Sequence, residues 1–337
     1  MTATYLPDIS IYQSNNGKST INWQALKDGG IDLVIIKYGG PTYTDPMMAE
    51  HVRLATQYGV KYAFYLWLDP IRSPSLHLAK FREMLDRYDP EFIVGDHEQT
   101  WSNWTAWEEY YQGKRTWASV PSLSQAQILA FSKAVIPAML ALSCRSLIYT
   151  GWWYCDIEAG IYPGLGSYIK QLTETTKLQV WNAQNFVKPV PPARSVICTT
   201  WDQFRTVSDP VYFQRQLSPY NSINKTPLLQ YSSTIRAPGQ TVNLDWNMFP
   251  GTKAEFQTWL DTGVIPGQVV VPPPTSKQYS VTATLGLNIR DAPSLSGKVI
   301  GGLAYRTVVS VFETSGDWAK ISNIESKWCS LLWLKPM

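Results

Sequence analysis

At 337 residues, 45% hydrophobic and only 16% charged, the chain has room for more than one folded unit and enough apolar material for an ordinary buried core. A net charge of +3 with no Lys/Arg cluster argues against a nucleic-acid partner and leaves only a mild preference for an anionic surface such as a bacterial wall. No run approaches the roughly 18 consecutive apolar residues that suggest a membrane span.

In chain order, the start "MTATYLPDIS" has neither a basic segment nor an apolar one. No signal peptide is therefore expected, and synthesis in a cytoplasm is the default. "YLPDISIYQ" reads as a short strand ending near Asp8, and "INWQALKDGG" as a helix stopped by glycine. "DLVIIKYGG" is a strand run buried on both faces, "MMAEHVRLATQYG" an amphipathic helix, and "KYAFYLWL" the next strand. "SLHLAKFREMLDRY" is helical and "EFIVGDHE" a fourth strand. After a long helix, "LSQAQILAFSKAVIPAMLAL", come strands in "RSLIYTG", "LQVWNAQ", "PLLQYSS" and "TVNLDWN". Apolar strands alternating with helices predict a parallel sheet covered on both faces. The length suits a closed, irregular β/α barrel over residues 1–263, and no glycine-rich phosphate loop supports a nucleotide fold.

The stretch "VIPGQVVVPPPTSK", 264–277, has the composition of an extended Pro-rich linker. Beyond it, residues 278–337 break into short β-rich runs separated by Gly, Pro, Asp and Ser, the pattern of a small all-β barrel.

The chemistry concentrates in "FIVGDHEQTW", where Asp96 and Glu98 straddle His97 just after a strand. Residues two apart on a strand share a side, so both acids can project from its end. Active sites of β/α barrels sit at the carboxyl ends of their strands. Asp8 ends the first strand and Asp245 lies in the last, so closure of the barrel would gather four acids at one mouth. Crowded carboxyl groups in a partly dry site cannot all ionise. One held protonated near neutral pH can protonate a glycosidic oxygen while an ionised neighbour stabilises developing positive charge. The 15 Trp and 19 Tyr suit sugar stacking as well as core filling.

Other features read more plainly. Trp101, Trp104, Trp107 and Tyr110 recur at helical spacing beside the acids, either as a sugar platform or as a stripe packed on the barrel. His97 should point away from its neighbours, into packing. His51 and His77 form no ligand set with it, the four cysteines follow no metal spacing, and no metal or cofactor is expected. Of Trp152 and Trp153, one ring is expected in the groove and one in the core, and Glu108 and Glu109 form a solvated face.

Taken in order, "DISIYQ", "VIIKYG", "GVKYAFYLW", "VGDHE", "LIYTGWW", "VWNAQN", "LLQYSS" and "VNLDWNMFPGT" resemble the family-25 glycoside hydrolases, the Chalaropsis-type lysozymes of many phage endolysins and bacterial autolysins. The resemblance implies an N-acetylmuramidase cutting the β-1,4 bond between N-acetylmuramic acid and N-acetylglucosamine. It implies Glu98 as general acid/base and Asp96 as support for a substrate acetamido group that could act as nucleophile. Asp8 and Asp245 would complete the acidic floor, with Tyr65, Trp67, Trp181, Gln184, Gln230 and Tyr231 along the sugar groove. The sequence departs from the family where Leu66 and Trp67 replace a usual His, at Asn185 in place of a common Tyr, and in longer stretches near 100–125 and 188–225. The tail, "LNIRDAPSLSGKVIGGLAYRTVVSVFETSGDWAKIS", resembles bacterial SH3-like wall-binding domains, although its end, "KWCSLLWL", departs from their pattern. The implied partner is bacterial peptidoglycan, reached after holin- or lysis-dependent release, by a chain expected to be monomeric. Two alternatives stay open at this point: a chitinase-like hydrolase of N-acetylglucosamine polymers, and a non-catalytic protein that binds wall glycan.

Overall fold

The computed structural model describes residues 4–155, 157, 160–183, 187–190, 194–197, 226–237, 239–249, 251–264, 277–321 and 327–336; for Trp152, 187–190, 194–197 and 231–235 it describes the backbone alone. The chain divides into two compact units, Met1–Thr173 with Lys177–Gln268, and Val269–Met337 with Glu174–Thr176. The proposed linker 264–277 lies outside the described residues except for its two ends.

Eight strands close the first unit into a barrel: β1 (Thr4–Ile9), β2 (Leu33–Gly40), β3 (Lys61–Trp67), β4 (Ile93–Asp96), β5 (Ser146–Gly151), β6 (Gln179–Ala183), β7 (Leu228–Ile235) and β8 (Leu244–Phe249). Strands β1 to β7 run parallel along the series, each beside the next, from the β1–β2 pair to the β6–β7 pair. The run read as doubly buried behaves so, with all of β2 buried except Lys37, and every residue of β4 and β5 is buried as well.

The expected all-parallel sheet needs one correction. β8 runs antiparallel to both β7 and β1, and so closes the barrel in reverse. The reason is the connection: β7 ends at Ile235 and β8 begins at Leu244. That short link suits an antiparallel return, whereas a parallel crossover needs a dozen residues or more.

Most of the helices packed outside begin where their sequences supply caps. In α1 (Trp23–Asp28) the Asn22 side chain accepts from the Ala25 N–H. α2 (Met48–Gln57) and α3 (Pro74–Arg87) follow, the latter capped by Ser73 with Pro at its first turn. α4 (Trp104–Tyr111) is capped by Asn103. α5 (Gln125–Leu140) and α7 (Lys253–Thr262), on either side of α6 (Pro163–Thr175), open on capping boxes, Ser124 with Gln127 and Thr252 with Glu255. The core between barrel and helices is aromatic as well as aliphatic, with Phe64, Phe92, Trp246, Phe249 and Trp259 all fully buried.

The second unit is a pair of small sheets. β9 (Lys277–Val281) lies between β12 (Val308–Val311) and β16 (Leu334–Pro336). β10 (Leu287–Arg290) joins β11 (Val299–Leu303) to β15 (Trp328–Ser330), and β14 (Trp318–Lys320) joins β15 to β13 (Glu313–Ser315). They enclose a separate core of Val281, Leu287, Val309, Val311, Ala319, Cys329 and Leu334. Among the described residues, no helix is long and apolar enough to cross a membrane.

Candidate active site

A cleft of about 390 Å³ opens at the barrel mouth formed by the carboxyl ends of β1 to β7. Asp8 comes from the end of β1, and Asp96 from the end of β4 with Glu98 two residues on. Asp245 is the second residue of β8. Because β8 is reversed, its beginning lies where its neighbours end, and Asp245 pairs directly opposite Asp8. All four line the cleft. Asp8 and Asp96 are each 5% exposed, while Glu98 and Asp245 open partly to the cleft.

Side chains on two further strands fix Asp8, backed by side chains on two more. Gln230 Nε2 and Asn247 Nδ2 donate to Asp8 Oδ2 at 3.0 and 2.9 Å. Gln230 Oε1 accepts from the Tyr149 hydroxyl at 2.7 Å, and Asn247 Oδ1 from Trp181 Nε1 at 2.7 Å. Trp181 is 2% exposed and meets the rings of Tyr149 and Tyr65 edge-on. Trp181 and Gln230 therefore line the cleft floor chiefly by holding the acid in place. Asp96 differs: its Oδ1 is buried without a hydrogen-bond partner among the described residues.

Burial and mutual repulsion decide the protonation of the cluster. Burial raises Glu98 to about 7 despite the Lys37 charge, which pulls it down. Burial, followed by the negative charges of Asp8 and Glu98, raises Asp245 to about 8. Asp8 rises to about 6, because the hydrogen bonds from Asn247 and Gln230 offset part of its burial. Asp96 is pushed well above the carboxylate range by burial and by the charge of Glu98. Near neutral pH such a site holds protonated and ionised carboxyl groups side by side.

Tyr65 and Trp67, two apart on β3, also line the cleft, so of the ten site residues expected from sequence eight converge there. Gln184 lies outside the described residues, as does the side chain of Tyr231. Sequence reasoning assigned no role to Lys37, the one cation among the described cleft-lining residues, or to Tyr149 and Asn247. Lys37 could have been found as the single charge in an otherwise apolar strand.

His97, one residue past the end of β4, points away from Asp96 and Glu98. It is fully buried and meets Ser132 Oγ through Nε2 at 2.8 Å, and burial drives it down to about 3. Trp153 is exposed against Tyr154 and does not line the cleft, against the expectation that one ring of the Trp152–Trp153 pair would; the side chain of Trp152 lies outside the described residues. The stretch near 100–125 builds an aromatic wall. Trp101 stacks with Trp67 at 5.7 Å and with Trp107 at 4.9 Å, and Trp104 and Tyr111 continue the cluster. Tyr110 turns away to pack on Trp117. Of 188–225, only a backbone hairpin, Val187–Val190 with Arg194–Ile197, reaches into the described residues.

The second unit holds a larger groove, of about 860 Å³, whose lining includes Leu285, Arg290, Tyr305, Trp318, Leu332 and Trp333.

Comparison with known proteins places these features. Residues 7–166 match glycosyl hydrolases family 25, and residues 285–334 match the bacterial SH3 domain. The first match takes in Asp8, Tyr65, Trp67, Asp96 and Glu98 and ends before Trp181, Gln230 and Asp245. No curated protein matches the chain in sequence. Among solved structures, the bacterial lysozyme from Streptomyces coelicolor is similar at 20% identity and a TM-score of 0.50, over 78% of this chain and 100% of that one. A family GH25 lysozyme from Aspergillus fumigatus is 19% identical with a TM-score of 0.47, over 76% and 98%. The catalytic domain of endolysin ply40 from bacteriophage P40 of Listeria monocytogenes is 14% identical with a TM-score of 0.43, over 77% and 98%.

Proposed function

We propose, from the premise that residues 7–166 are a glycosyl hydrolase family 25 domain and residues 285–334 a bacterial SH3 domain, that the protein is a peptidoglycan hydrolase of the N-acetylmuramidase type. It cuts the β-1,4 bond between N-acetylmuramic acid and N-acetylglucosamine. The observation that carries this reading is a carboxyl group, Glu98, held protonated up to about pH 7 in a cleft it shares with three other acids.

Glu98 gives its proton to the glycosidic oxygen as the bond to C1 breaks. The acetamido oxygen of the same sugar attacks C1, closing a transient ring. Glu98, now a carboxylate, then takes a proton from the water that reopens it. The unpartnered Oδ1 of Asp96 suits the acetamide N–H, whose acidity rises as that oxygen attacks. Asp8 and Asp245 act as positioning residues that tune the charge Glu98 meets.

The reading further takes 1–263 as the catalytic part, 264–277 as the linker and 278–337 as the part that holds the wall, through the groove around Tyr305 and Trp333.

Digestion of purified peptidoglycan by the wild type and by Glu98→Gln, then borohydride reduction and mass analysis, tests the chemistry. Muramitol ends from the wild type and nearly none from the variant are expected. Glucosaminitol ends would move the cut to the other linkage. Release of neither, with wall binding intact, would leave a glycan-binding protein.

A further inference from the structure

One cleft contains both the acids and a wall of rings that the reaction does not use. Asp96, Glu98, Trp67, Trp101, Trp107 and Tyr111 all line it. The rings come from β3 and from the stretch after β4, where Trp101 bridges to Ser122 and α4 follows.

Their arrangement is built from below. Asp69 is 3% exposed and takes Trp104 Nε1 on Oδ2 at 2.8 Å and Gln99 Nε2 on Oδ1 at 3.0 Å. Gln99 Oε1 in turn accepts from Trp67 Nε1 at 2.9 Å. The polar edges of two indoles are therefore fixed inside the protein. The planes of Trp67 and Trp101 lie 27° apart and those of Trp101 and Trp107 16° apart, so three rings form one ordered stack. Tyr111 packs on Trp107 at 4.9 Å and ends the row, 72% exposed.

A stack needed only to cover the barrel would bury its last ring. This one leads from the acids to a ring in water, within the same cleft. Of the stacked rings, Trp67 has its N–H tied back, and Trp101 Nε1 is buried without a partner among the described residues. The exposed ring at the end of the row offers a surface for flat, C–H-rich faces, as a pyranose ring presents.

We infer that the row ending at Trp107 and Tyr111 is a distal sugar subsite, which takes β-1,4-linked amino sugar units of the glycan strand beyond the pair that is cut. The inference rests on the muramidase reading of the acids. It makes the enzyme one that favours long strands, because remote stacking helps to place the bond at Glu98.

The test compares wild type, Tyr111→Ala and Tyr111→Phe on peptide-free peptidoglycan glycan oligomers of four, six and eight sugars. Tyr111 is exposed, so its truncation should leave the fold intact. Tyr111→Ala should raise KM on the longest oligomer by about tenfold, the size of one lost ring contact, and much less on the shortest. Tyr111→Phe, which keeps the ring, should restore the wild-type dependence on length. An equal effect at every length, no effect at all, or a Phe variant that behaves like Ala would overturn the subsite. A wild type that cuts no oligomer would instead overturn the muramidase reading on which it stands.

Discussion

Lys37 shows how much one residue can decide in a site made of acids. It stands among four carboxyl groups, and its positive charge pulls down Asp8, Asp96 and Glu98 against the burial that raises them. Its ammonium lies 5.6 Å from the centre of the Tyr65 ring and 5.5 Å from that of Trp67, so it is also held between groove aromatics. In the proposed mechanism Glu98 must be protonated to act, and it loses its proton near pH 7. Removing the cation in Lys37→Met takes away a lowering influence, so Glu98 should keep its proton to higher pH. The alkaline limb of kcat/KM should therefore move up by about one pH unit, measured on soluble glycan oligomers at fixed ionic strength. A limb that stays in place, or moves down, would show that Glu98 does not feel Lys37 in the working enzyme.

At the scale of elements, strand ends decided how much of the site could be read in advance. "FIVGDHE" carries its own evidence, since an apolar run must be a strand and the acids must follow it to the rim. Trp67, two residues from Tyr65 on β3, reaches the same cleft. The direction of β8 was not legible: Asp245 was expected at the end of a last parallel strand and stands at the start of a reversed one. Only the short link from Ile235 to Leu244 carried that signal, and strand patterns do not record direction. The partners of Asp8 were hidden for a related reason. Tyr149, Gln230 and Asn247 meet only when β5, β7 and β8 come together, and their spacing in sequence has no period. The reversal also has an energetic consequence. It sets Asp245 opposite Asp8, and burial, together with the negative charges of Asp8 and Glu98, holds a proton on Asp245 up to about pH 8 in the folded chain, whereas an unfolded one releases it near the ordinary aspartate value of about 3.9. Between those two values the native state binds more protons, so stability falls as pH rises through the window and levels off above it. Thermal unfolding should therefore show a Tm that declines from about pH 5 to pH 8. In Asp245→Asn the decline should be shallower, and at pH 8 the variant should melt about 2–4 °C above the wild type. Parallel curves for the two proteins would mean that Asp245 ionises in the folded chain as freely as in the unfolded one.

For the whole molecule, the question is why a barrel with a complete acidic cleft should carry a second unit. The two have separate cores, the second built around Val281, Val309, Val311 and Cys329, so each can keep its own fold while its surface serves a different task. The groove of the second unit is lined by Leu285, fully exposed, with Leu332 and Trp333 also open to water. Exposed apolar side chains gathered around one groove mark a binding surface rather than a stabilising one. Tethering an enzyme to an insoluble polymer raises the local concentration of bonds it can reach, and contributes nothing once the substrate is small and dissolved. Trp333→Ala should therefore separate the two tasks. Sedimentation with intact walls should leave more of the variant in the supernatant, and its rate on walls should fall by about tenfold or more, while its kcat/KM on soluble oligomers stays that of the wild type. A variant equally impaired on both substrates would tie the groove to the stability of the enzyme. One that sediments and cuts walls as well as the wild type would move wall recognition to the cleft itself.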